Sequence, residues 1–104
     1  MSDRVYAPDK WVIIEITNKN GQAHRRVLGS WYGGFTSGDS WRTSSAITEV
    51  IDTDNVYRIL NESGSVYICA KGCEGMSVYT MNVLANMQEQ ADNDGCNIKV
   101  VDLS

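Results

Sequence analysis

Lys10-Trp-Val-Ile-Ile-Glu-Ile-Thr17, the turn Asn18-Lys-Asn-Gly21 and the run that follows to Trp31 decide the fold. The first stretch is dense in β-branched and aromatic side chains and stops at a polar tetrapeptide. That combination predicts a strand and a tight turn, with Asn20-Gly21 supplying the positive-φ positions of a hairpin. A second strand over residues 23–31 returns from it. His24 and the pair Arg25 and Arg26 then sit mid-strand, with the two arginines on opposite faces. Strands such as residues 11–16 are apolar on both sides, so both of their faces need cover.

Downstream, short apolar runs alternate with polar turns at intervals of about ten residues, the signature of an antiparallel meander. Strands are expected at 46–51, 56–60 and 65–71, separated by Asp52-Thr-Asp-Asn55 and Asn61-Glu-Ser-Gly64. From 77 to 93 the period changes. Tyr79, Val83, Leu84, Met87 and Ala91 fall near helical spacing, with Ser77 or Thr80 to cap the start and Gly95 to end it. Residues 97–103 alternate into a last strand. The predicted fold class is α+β, in the order βββββαβ. It has a mostly antiparallel sheet of about five or six strands, with one helix from the C-terminal half packed on one face. Residues 1–9 read as a flexible lead-in and residues 10–104 as a single domain. A chain of 104 residues and 11.5 kDa leaves little room for a second.

Residues 29–45 stand apart. They hold four glycines, five serines and the aromatics Trp31, Tyr32, Phe35 and Trp41. Rigid rings on a Gly/Ser framework offer contact area at low entropic cost, and Asp39 and Arg42 add one charge of each sign. Trp31, Tyr32, Phe35, Asp39, Trp41 and Arg42 are therefore the candidate ligand or partner residues. The two tryptophans also suit a structural role, plugging the end of a small sheet whose core is otherwise underfilled.

Charge is uneven along the chain. Residues 1–71 hold eight basic and eight acidic side chains, whereas residues 72–104 hold five acids against Lys99 alone. The whole net charge of −4 lies in the C-terminal third. That balance argues against general nucleic-acid binding, which needs basic groups to displace phosphate counterions. Glu89, Asp92 and Asp94 are either a solvated helix face or an acidic contact surface for a basic partner. Hydrophobic content of 42% and charged content of 21% fit an ordinary globular domain. No run approaches the ~18 apolar residues that a membrane span needs.

Chemistry-bearing motifs are scarce. Cys69, Cys73 and Cys96 match the single His24 as a Cys3His inventory, but the Cys-x-x-x-Cys spacing fits no standard zinc site. Core packing is the natural role for Cys69, and no metal or other cofactor is expected. An odd cysteine count and the absence of an apolar leader after Met1 predict a reducing cytoplasm. His24, beside two arginines, is poorly placed as a base, and no nucleophile elbow, zinc-protease motif or phosphate loop occurs. The expectation is a protein without catalytic activity.

The segment Ser30-Trp-Tyr-Gly-Gly-Phe-Thr-Ser-Gly-Asp-Ser-Trp-Arg-Thr-Ser-Ser-Ala-Ile-Thr48, followed by Ser63-Gly-Ser-Val-Tyr67, resembles small proteins encoded by tailed bacteriophages. These share a Trp…Gly-Asp-Ser-Trp-Arg…Ile-Thr pattern and a later Gly-Ser-x-Tyr turn. The resemblance covers about residues 10–85, with Gly38-Asp-Ser-Trp-Arg42 as its specific part. It implies a setting, a bacterial host cytoplasm, and no catalytic or binding residue.

Two functions follow as expectations. One is a small interaction protein that binds or inhibits a bacterial host or defence protein. The other is a small-molecule or nucleotide binder, with Trp31 or Trp41 stacking a ring and Arg42 meeting an anion. In either case the uncovered sheet face is closed by residues 29–45 or by a second copy in a homodimer, the dimer being preferred.

Overall fold

The computed structural model describes residues 4–33 and 38–103. Its order is β1 (Val5–Tyr6), β2 (Lys10–Thr17), β3 (Ala23–Trp31), β4 (Ser40–Thr43), β5 (Ile47–Asp52), β6 (Val56–Asn61) and β7 (Val66–Ala70). A 3-10 turn (Lys71–Cys73), α1 (Val78–Asn93) and β8 (Asn97–Val101) follow. The fold is α+β. Its strands form two four-stranded sheets, β1-β7-β6-β5 and β4-β3-β2-β8, antiparallel except where β1 joins β7.

The β2–β3 hairpin runs as expected, pairing Lys10 with Ser30 through to Thr17 with Ala23. Its turn differs in one respect. Gly21 alone takes a left-handed backbone, and Asn20 does not. The N–H of Gly21 donates to Asn18 O, that of Asn18 to Gln22 O, and the Asn18 side chain accepts from the N–H groups of Asn20 and Gln22. Asn61-Glu-Ser-Gly64 repeats the pattern between β6 and β7, with Gly64 left-handed and bonded to Asn61 O. Asn-x-x-Gly, rather than Asn-Gly, is the turn signal in this chain.

Two strands beyond the sequence expectation divide the single expected sheet into two. Within the expected lead-in, β1 pairs Tyr6 with Tyr67, and Pro8 is buried against Gly29. Within the expected loop, β4 pairs with β3 and then hands the chain to β5 in the other sheet. The corner between them is fixed by buried Ser44, whose N–H donates to Val27 O while its Oγ accepts from the Val27 N–H at 2.8 Å.

Strand alternation then sorts the side chains into three layers. Trp11, Ile13 and Val27 face the other sheet and close on Ile59, Tyr67 and Cys69. Trp11 also donates its indole N–H to Ala70 O at 2.7 Å, tying the two sheets together. The opposite parity, Val12, Ile14 and Leu28, packs under Leu84 of α1. The helix starts at Ser77, whose Oγ accepts from the Thr80 N–H. It ends where the N–H groups of Gly95 and Cys96 return to Asp92 O and Ala91 O.

Candidate functional site

A helix is about 10–12 Å across with its side chains, whereas four strands span roughly 15–20 Å. One helix therefore cannot cover the whole outer face of the β4-β3-β2-β8 sheet. Along one flank of α1 an open groove of about 570 Å³ is left, lined from the helix by Val83, Asn86, Met87, Gln90 and Ala91 and from its C-cap by Asp94. Ile16 of β2, Ile98 of β8, Cys96 and Trp41 of β4 complete it. The lining is mainly apolar, and Asp94 is its one acidic side chain. Gln88 anchors the helix beside it by donating its side-chain amide to Ile98 O at 3.0 Å.

Trp41 is 41% exposed, so it does not plug the core. Trp31 does: it packs against the inter-sheet cluster and donates its indole N–H to Ala7 O. The two residues lie on facing strands but on opposite sides of the sheet. Trp31 pairs with Ser40, and Trp41 with Ser30. Arg42, adjacent to Trp41, consequently points to the other face and stacks on the Tyr6 ring at 4.8 Å. A smaller hollow of about 290 Å³ opens there among Tyr6, Trp31, Ser40, Trp41 and Arg42.

Of the candidate residues of 29–45, Trp31 and Arg42 thus come together at the smaller hollow, and Trp41 lines both that hollow and the groove beside α1. Tyr32 is exposed, with its N–H donating to the Asp9 carboxylate, and Asp39 accepts from the Gly33 N–H. Phe35 lies outside the described residues. Of the acidic candidates, Asp94 enters the groove, while Glu89 and Asp92, three positions apart, are exposed on an outer side of α1. All three acids crowd the C-terminal end of the helix, which has no basic residue in its last turn. The helix macrodipole already places negative charge there.

The remaining chemistry is dispersed. Among the described residues no three His, Cys, Asp or Glu side chains gather as a metal site. His24, Arg26, Ser45 and Glu62 line a hollow of about 330 Å³. There, however, His24 Nε2 accepts from Arg26 at 2.9 Å, and the Ser45 hydroxyl bonds to Ser63, so serine and imidazole are not hydrogen-bonded to each other. Burial pushes the Cys69 thiol up from an ordinary 9.0 to about 12 and, against the opposing pull of Arg42, the Tyr67 phenol from 10.0 to about 12. Both therefore stay neutral in the core. Sequence reasoning missed Val83 and Met87 as site residues, because at helical spacing they read as core, and weighed Cys96 only among the cysteines; only the width argument separates a covered stripe from its open flank.

Family models, curated proteins and solved structures contain no match to this chain.

Proposed function

We propose that this protein is a non-catalytic interaction module that seats an apolar segment of a partner polypeptide in the groove beside α1. Basic residues flanking that segment meet Asp94, Asp92 and Glu89. The observation that carries the reading is the joint placement of an open apolar groove and a helix end whose charges oppose its own dipole. Apolar burial would supply affinity, and the acids would steer the encounter and select the register. The likeness to tailed-phage proteins supports a bacterial host or defence protein as the partner that this chain binds or inhibits.

The test is co-purification from a bacterial lysate with the tagged wild type, Trp41→Ala and Asp94→Lys. One stoichiometric protein is expected with the wild type and at least about tenfold less with either variant, a change of ~1.4 kcal/mol. Equal capture by all three, with unchanged circular dichroism, sinks the groove as the docking site. Half-buried Cys96 serves as an internal probe, since its alkylation slows when the groove is filled.

A second reading rests on the Tyr6–Trp31–Ser40–Arg42 hollow. An exposed guanidinium beside two rings suits an aromatic anion such as a nucleotide. Tryptophan fluorescence would then quench on nucleotide titration, and Arg42→Ala would abolish the change. A flat titration across the common nucleotides removes this alternative.

A further inference from the structure

The outer face of the β1-β7-β6-β5 sheet is rich in aliphatic side chains, and among the described residues no element packs on it. Register assigns its members. Tyr6, Tyr67 and Ile59 point inward, so Val5, Val66 and Leu60, paired in one row across three strands, point outward. Ile68 and Ile51 flank Arg58 in the next row. None of these aliphatic residues belongs to either core cluster; Val5 is 64% exposed, and Ile51, Leu60, Val66 and Ile68 are half-buried. Among the described residues no helix packs on this face: α1 lies against β8, on the far side of the other sheet. Contiguous aliphatic surface of this kind marks an interaction site.

Two charges interrupt it, Arg58 and Glu49. They sit on neighbouring strands one register pair apart, Glu49 opposite Leu60 and Arg58 opposite Ile51. Both are exposed, and neither makes an ion pair within the described residues. One charge of each sign on an otherwise aliphatic face is self-complementary. A two-fold axis in the plane of contact, passing between the two residues, sets each Arg58 against Glu49 of a second copy, twice over. We infer that this face is the contact of a symmetric homodimer in which two sheets stack with both Arg58–Glu49 pairs closed across the axis.

The charge distribution favours this occupant over one on the opposite side. Residues 72–104 hold the full net charge of −4, and α1, which carries Glu89 and Asp92, belongs to the far layer. Two copies joined through the outer sheets hold their acidic helices as far apart as the fold allows. Both α1 grooves stay open, so the dimer is independent of the reading proposed for the groove.

The test is sedimentation velocity from micromolar to millimolar protein at low salt, on the wild type, on Arg58→Glu, on Glu49→Arg and on an equimolar mixture of the two variants. The wild type is expected to show concentration-dependent dimer. Each variant alone weakens association about a hundredfold, because like charges then meet in the contact. The mixture restores dimer, since each variant supplies the sign that the other lacks, and it also shows that both variants are folded. A wild type monomeric at millimolar concentration, a dimer that neither variant alters, or a mixture that stays monomeric each overturns the proposal.

Discussion

The two faces of the β4-β3-β2-β8 sheet are built by the same strands, yet the centre of one is covered by a second sheet and that of the other by a single helix. Toward the second sheet, Ile13 and Val27 are wholly buried and Trp11 is pinned by its indole bond to Ala70 O. Toward the helix, Val12, Ile14 and Leu28 are just as buried, but Ile16, Ile98 and Met87 are covered only in part and Trp41 is exposed. The difference lies in the shape of the cover rather than in hydrophobicity. The second sheet covers the middle of its neighbour and leaves the ends polar, with Glu15, Arg25 and Lys99 paired at one and the Arg42 hollow at the other, whereas the single helix covers a stripe and leaves an apolar flank. The buried centre between the sheets accounts for stability, and the open flank is where binding can occur without unfolding anything.

That contrast breaks most readily in the core. Ile13→Ala removes a side chain with neighbours on every side, and it is expected to cost about 4 kcal/mol in denaturant unfolding. Leu84→Ala, under the helix, should cost about 2 kcal/mol, because the space it leaves adjoins a groove into which neighbours can relax. If the helix-side substitution proves the costlier, the two faces are not graded as described.

Alkaline pH probes the core between the sheets directly. Cys69 and Tyr67 have pKa values raised in the fold, so their stabilising contribution is complete below the unfolded values of 9.0 and 10.0 and is lost as pH climbs toward about 12. The melting temperature should be level near neutrality and fall above pH 9, with Cys69 responsible first. Cys69→Ala should flatten the decline between pH 9 and 10. An unchanged slope in that variant would place the titrating group elsewhere.

What the sequence disclosed depended on length and regularity. β2 and β3 were legible to the residue because eight and nine residues of apolar-rich strand are bounded by a turn with its own chemistry. The helix was legible in its spacing, its Ser77 cap and Gly95. β1 and β4 were not, because two and four residues carry too little pattern and their pairing is decided by distant partners, Tyr67 and Ser30. The division into two sheets went unseen with them. The site was legible in kind but not in grouping. The sequence paired Trp31 or Trp41 with Arg42; alternation along the four-residue β4 sends Trp41 and Arg42 to opposite faces, whereas Trp31 joins Arg42 at the smaller hollow. Asp94 joined Trp41 through a groove that only the tertiary width mismatch creates.

The smallest predicted effect bears on function most directly. Glu89, near the C-terminus of α1, faces the negative end of the helix dipole with no basic residue in the last turn to offset it. Glu89→Lys should therefore stabilise the free protein by about 0.5 kcal/mol, read as a small rise in the denaturation midpoint with unchanged slope. A substitution that improves the fold while weakening partner capture would separate the two roles of this helix end, since no loss of structure explains lost binding in a more stable protein. If Glu89→Lys stabilises and capture is untouched, the acids beyond Asp94 are a solvated face and only the groove itself engages the partner. If it destabilises, Glu89 is held by a favourable interaction that the dipole argument omits, and the acidic end of α1 is then explained by folding rather than by binding.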